Sequence, residues 1–231
     1  MTAAPDQRLG WMHEGSRIFL GELEKVPDGD WAEPVGLPGW GFAHLIAHVA
    51  YNAAALSRLV HWARTGEETP MYSGPEQRAA EIEHGATLPP ARLRALVRET
   101  DEQLRADLGG LSAWDAQVRT AQGRTVPATE IPWLRTREVW IHTVDLGTGF
   151  RFEDFPADLL GALITDITGL RQYRDGGPAL ALHPDDREDR WRIVDVLGGE
   201  PAVVRGSAAE LARWLAGRGR TGDKPVLGRW L

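Results

Sequence analysis

Apolar positions recur at three- and four-residue spacing through most of the first 150 residues, interrupted by turn-rich joints. From Asp6 to Val26, Leu9, Met12, Ile18, Leu20 and Leu23 stand among charged residues, predicting an imperfect amphipathic helix that Pro27-Asp28-Gly29-Asp30 ends. Between Gly41 and Arg64 the stripe is clearer: Phe42, Leu45, Ile46, Val49, Ala53, Leu56, Leu59 and Val60 share one face, and Thr65-Gly66 closes the helix. A loop through Pro70 and Pro75 leads to a short helix around Gln77 to Glu83. Pro90 opens a third long helix with Leu93, Leu96, Val97, Leu104 and Leu108 on one face, stopped by Gly109-Gly110. Gln117 to Val126, centred on Gln122-Gly123, reads as a small hairpin. A fourth long helix runs from Thr129 to Asp145, with Pro132 in its first turn, where a missing N–H has no intrahelical partner to lose.

Past Gly149 the pattern changes. A helix from Pro156 to Arg174 is followed by short apolar runs, Ala179 to His183, Trp191 to Val196 and Ala202 to Val204, and then by a helix from Ser207 to Ala216. This order predicts an α+β chain: a four-helix bundle over residues 1–150, and over 151–231 a smaller domain with helices packed on an antiparallel sheet.

The 231 residues include 26 Lys+Arg against 33 Asp+Glu, a formal net charge of -7. That balance argues against a nucleic-acid partner, whose phosphates call for clustered positive charge. Cysteine is absent, which excludes disulfides, thiolate metal sites and a protein-borne thiol nucleophile. Any metal must use His, Asp or Glu, and any thiol chemistry must bring its thiol from outside. No apolar run approaches the ~20 residues that span a bilayer, and the N-terminus lacks the regions of a signal peptide. The expectation is a cytoplasmic monomer that binds neither nucleic acid nor membrane.

Two helix-borne clusters carry candidate chemistry. His44 and His48 are four apart on the second helix; Glu138 and His142 are four apart on the fourth, with Asp145 three further along the same face. In helical bundles, ligand sites form where inward-facing side chains of different helices converge. Two imidazoles and one carboxylate would give zinc three protein ligands and leave a fourth position open. The same spacings also occur in helices that hold no metal, and there is no HExxH motif to indicate a metalloprotease. Trp40, Trp62, Trp133 and Trp140 flank the clusters and read as core packing. Gly66 to Tyr72 reads as a solvated loop or a pocket rim. Arg218, just past the last helix, suits either a substrate carboxylate or the helix dipole.

Several longer runs carry a resemblance. Leu37-Pro38-Gly39-Trp40, His44-Leu45-Ile46-Ala47-His48-Val49-Ala50-Tyr51-Asn52-Ala53, His61-Trp62-Ala63, Gly66-Glu67-Glu68-Thr69-Pro70-Met71-Tyr72, Thr120 to Ala128, Arg137-Glu138-Val139-Trp140-Ile141-His142, Ala216-Gly217-Arg218-Gly219 and the terminal Arg229-Trp230-Leu231 are similar to mycothiol-dependent maleylpyruvate isomerases. The likeness spans nearly the whole chain. It implies a DinB-like four-helix bundle holding a divalent metal, usually zinc, and a C-terminal α/β domain. By that pattern the ligands are His48, Glu138 and His142, His44 is a neighbour of the site, and Arg218 matches an arginine implicated in activity. Asp145 is then an outer partner of the site.

The implied reaction converts 3-maleylpyruvate to fumarylpyruvate by reversible addition of a metal-bound mycothiol thiolate to the double bond. Two other readings share the same ligands: a mycothiol-dependent S-transferase, and a non-catalytic metal- or thiol-binding sensor. Manganese, cobalt or nickel would also accept this donor set.

Overall fold

The computed structural model describes residues 4–171, 178–194, 200–219 and 224–228. The expected helix tail 172–174, the strand end 195–196 and the terminal run 229–231 lie outside the described residues. The chain divides into two compact units, Ala3–Gly149 and one comprising Phe150–Leu231 with the first two residues.

The N-terminal unit is built on four long helices, α1 (Pro5–Leu23), α2 (Phe42–Thr65), α4 (Pro90–Gly109) and α5 (Ile131–Asp145), with a short α3 (Pro75–Ala86) between α2 and α4. Proline stands in the first turn of α1, α3, α4 and α5, where its fixed φ starts a helix without removing a needed donor. Gly66 ends α2 in the left-handed region at φ 77°, and its N–H reaches Trp62 O at 2.8 Å. The hairpin expected around Gln122-Gly123 is present, with β1 (Gln117–Arg119) pairing antiparallel to β2 (Thr125–Pro127).

The α2 stripe is buried as its spacing requires: Leu45, Ile46, Val49, Ala53, Leu56, Leu59 and Val60 are fully enclosed. Its lower half joins Leu104, Leu108, Ile131 and Leu134 in one apolar core. On α1 the buried face differs from the expected one. It runs through Arg8, Trp11, Met12, Gly15, Ser16, Phe19 and Leu23, while Leu9, Ile18 and Leu20 lie half out. The reason is close helix packing: a Cβ on Gly15 would sit 2.5 Å from Trp140 Nε1 and 2.6 Å from Val139 Cγ2 on α5. The same approach lets Trp140 Nε1 donate to Trp11 O at 2.8 Å. Within the bundle, Arg135 of α5 is buried against Asp101 of α4 at 3.2 Å.

In the C-terminal unit, α6 (Ala157–Arg171) and α7 (Ala208–Leu215) pack on a three-stranded sheet ordered β4 (Trp191–Ile193), β3 (Leu180–Pro184), β5 (Ala202–Gly206). The sheet is mixed, not antiparallel as expected: β3 pairs antiparallel with β4 but parallel with β5. An unbroken apolar run such as Leu180-Ala181-Leu182, all buried, fits a central strand paired on both edges. The parallel β5 delivers the chain directly into α7, which packs back on β3 and β5. Ser207 caps α7, accepting from Glu210 N while the Glu210 carboxylate accepts from Ser207 N.

The Gly15 contact gives a test of the bundle. Gly15→Ala should lower the stability of the protein by roughly 1–3 kcal/mol, the usual cost of overpacking, measured as a fall in denaturation midpoint. An unchanged midpoint would show that α1 and α5 do not pack this closely.

Candidate metal centre

His48 lies on α2 two turns from its start, and Glu138 and His142 lie one turn apart on α5. Packing of α2 against α5 brings the three together: one ligand atom from each falls within 4.8 Å of the others. The convergence point is Glu138 Oε2, 2.8 Å from His48 Nε2 and 3.3 Å from His142 Nε2. The two imidazole rings meet edge to face, 5.0 Å between centroids at 87°. All three side chains are largely withdrawn from solvent, Glu138 the least at 18% exposed.

The outer contacts fix the rings. Asp145, itself buried, places Oδ2 2.7 Å from His142 Nδ1. A carboxylate on the far nitrogen of a histidine is the arrangement that orients imidazole ligands toward a metal. On the other side, Arg78 of α3 donates through Nη2 to His48 Nδ1 at 3.3 Å. Because a guanidinium only donates, His48 Nδ1 accepts and Nε2 carries the ring proton toward Glu138. Trp40 packs its ring 5.3 Å from that of His48.

Electrostatics sort the three groups into different charge states. Burial pushes the His48 pKa down, with the Glu138 charge opposing only in part, so this imidazole stays neutral. Burial also works against the Glu138 carboxylate, but His48 and His142 outweigh it and hold its pKa well below the ordinary value. For His142, burial disfavours protonation, yet the hydrogen bonds and charges of Asp145 and Glu138 win and raise its pKa. Of the two imidazoles, His142 is therefore the one that favours carrying an extra proton, beside an ionised Glu138. A divalent cation fits in place of that proton: two nitrogens and one carboxylate oxygen are the donors zinc takes in open sites.

His44, the neighbour in the sequence pattern, points elsewhere. Its Nδ1 accepts from Gly41 N at 3.3 Å, closing the start of α2, and its Nε2 lies 3.6 Å from the exposed Glu83. Trp133 and Trp140 are core residues, as their surroundings suggested, and Trp62 packs against the apolar core. Trp40 is different, since it covers a site imidazole. Of the Gly66–Tyr72 run, Met71 is buried and its carbonyl is held by Arg58 through Nε at 2.8 Å. Tyr72 has its phenol pushed up to about 12, mainly by burial, with the Arg78 and Glu138 charges also acting on it. Arg218 stands past α7 in the other unit, its Nη1 donating to Ala216 O at 2.8 Å.

Sequence reasoning missed Arg78, and it read Trp40, beside the cluster, as core packing where its ring in fact lies against His48. Arg78 sits in a polar run, Pro75-Glu76-Gln77-Arg78, with no periodic signal to mark it. Gly85 is what lets α3 reach the site, because a Cβ there would come 2.7 Å from the Ala47 side chain and 2.8 Å from the Tyr51 ring.

Comparison with known proteins follows the geometry. Residues 12–147 match the model of the mycothiol maleylpyruvate isomerase N-terminal domain. A crystal structure of the mycothiol-dependent maleylpyruvate isomerase is 42% identical, covering 95% of this chain and 92% of that one, with a TM-score of 0.89. A crystal structure of a histidine-to-alanine mutant of that enzyme matches with the same values. No curated protein matches the chain.

The raised His142 pKa yields a signed prediction for chelator-treated protein. A raised histidine favours the folded state fully below the unfolded value, about 6.5, and that contribution is lost as pH rises through the folded value. Asp145→Asn should therefore lower stability by roughly 1–3 kcal/mol near pH 6 and by clearly less near pH 9. Denaturant titrations at both pH values check this; equal losses at both would remove Asp145 as the group that holds the His142 proton.

Proposed function

We propose that this chain, which belongs to the mycothiol maleylpyruvate isomerase family, isomerises 3-maleylpyruvate to fumarylpyruvate with a divalent metal, zinc by its donor set, and mycothiol. The observation that carries this reading is the buried meeting of His48, Glu138 and His142 in a chain without a single cysteine. When bound, the metal supplies a Lewis acid that lowers the pKa of a coordinated thiol, and the thiolate supplies the reversible addition that lets the double bond rotate.

The protein's own residues have four tasks. His48 presents Nε2 as a neutral ligand, since burial keeps it unprotonated. Glu138 adds the anionic ligand and neutralises part of the metal charge. His142 completes the set after giving up its proton, and Asp145 keeps its Nε2 aimed at the same point through the 2.7 Å contact at Nδ1. Arg218 is assigned as a cation for a substrate carboxylate or for the enolate formed on addition; this role rests on the resemblance, and Arg218→Lys kinetics tests it. A free-thiol cofactor calls for a reducing compartment, which places the enzyme in the cytoplasm. We take it to act there as a monomer.

Purified protein supplied with zinc and mycothiol should convert maleylpyruvate, with turnover depending on both. His48→Ala should lose bound metal and lower kcat/KM by at least about a hundredfold, since ligand loss removes the thiol-activating centre. Conjugation of a generic electrophile without isomerisation would replace this reading with an S-transferase. Stoichiometric metal with no turnover of either substrate would replace it with a sensor.

A further inference from the structure

Among the charged groups around the metal centre, one has no counterpart of opposite charge. The Arg78 guanidinium pairs with no carboxylate among the described residues, and its side-chain hydrogen bond goes to an imidazole nitrogen, His48 Nδ1 at 3.3 Å. Arginines this close to a buried carboxylate cluster usually join it in a bidentate pair. Here the two nearby acids are engaged otherwise: Glu138 faces the imidazoles, and Glu81 lies 3.7 Å from Arg58 and accepts from Gln77 at 2.8 Å.

The bond to His48 is also conditional. It needs Nδ1 as an acceptor, hence the ring proton on Nε2. A cation taken by Nε2 leaves the ring proton on Nδ1, and a guanidinium that can only donate then has no partner there. Metal loading thus frees a fork of N–H donors directly beside the centre, held in place by α3 through the Gly85 contact with α2.

We infer that Arg78 binds the substrate carboxylate attached to the double bond. This rests on the isomerase reading. Maleylpyruvate carries two carboxylates, and the one on the alkene is a single bond from the carbons that react, so it must lie against the metal centre. A planar fork matches a carboxylate in two-point contact, and anchoring that end leaves the remainder of the molecule free to turn. Tyr72, whose phenol stays protonated because burial pushes it up to about 12, stands within the same electrostatic neighbourhood as a further donor.

The experiment uses zinc-loaded protein and maleate, the simplest cis dicarboxylate, with calorimetry for maleate and direct measurement of bound zinc. Arg78→Met should keep one zinc per chain, bound at least as tightly as in the wild type, because a contact that competes with metal loading is gone. Its maleate affinity should fall at least about tenfold, and Arg78→Lys should fall between the two, keeping the charge but not the fork. If Arg78→Met fails to fold, Arg78→Gln is read in its place. Unchanged maleate affinity with zinc retained overturns the inference, as does a wild-type protein that does not bind maleate. Loss of zinc in the variant also overturns it, since Arg78 would then be a support for His48. Arg78-dependent maleate binding without isomerisation would keep this inference and sink the functional reading; isomerisation with maleate binding indifferent to Arg78 would do the reverse.

Discussion

Four helices meet at the ion pair of Arg135 and Asp101. The guanidinium donates to Val49 O at 2.7 Å and Asn52 Oδ1 at 3.2 Å on α2, and to Asp101 Oδ1 at 3.2 Å on α4. Ser16 of α1 donates to the same Asp101 oxygen at 2.6 Å. An ion pair this deeply buried contributes little net stability, because desolvation offsets the attraction. Its effect is on register. Removing either partner strands a charge in an apolar interior, so any sliding of α2 against α5 that breaks the set is heavily penalised. Arg135 lies three residues before Glu138, and Val49 directly follows His48. The contact that holds the two helices in register is therefore less than one turn from the residues that must converge.

Register fixed in this way explains why a costly cluster persists. A buried carboxylate and two buried imidazoles have each lost their hydration, and without an added positive charge the carboxylate would be stranded. Asp145 and Glu138, on either side of His142, favour a proton there that meets this need. Exchanging that proton for a divalent ion would add one positive charge to the site. An anionic thiolate would cancel the excess. Metal and thiolate would thus suit the site together better than either alone, which fits a chain without a single cysteine.

Much of this was legible in the sequence where chemistry and periodicity coincide. The α2 stripe, the proline starts and the four-residue spacings of the site residues all follow from helix geometry, and those residues lie where facing helices bring them together. What escaped was set by close approach between elements. On α1, Gly15 and Ser16 are invisible to a hydrophobicity pattern, yet they form the buried face because α5 comes too near for larger side chains. Arg78 and Trp40 belong to segments with no periodic signal and reach His48 only through tertiary packing. The parallel pairing of β5 with β3 was hidden for a similar reason, since short apolar runs fix strand existence but not partner direction.

The contrast between α5 and α3 separates two duties around one centre. Nearly every residue of α5 from Ile131 to Thr143 is buried, so the candidate ligands it carries, Glu138 and His142, sit on a deeply enclosed helix. Helix α3 buries only Ile82 and Gly85. Elements with few buried apolar contacts open at lower free energy than the core around them. A metal site needs ligands that do not move, because loosened geometry forfeits affinity. A group that takes up an incoming anion has no such need for enclosure. Arg78 stands on the helix with few buried residues, and His48, Glu138 and His142 on helices tied together by the Arg135 contacts.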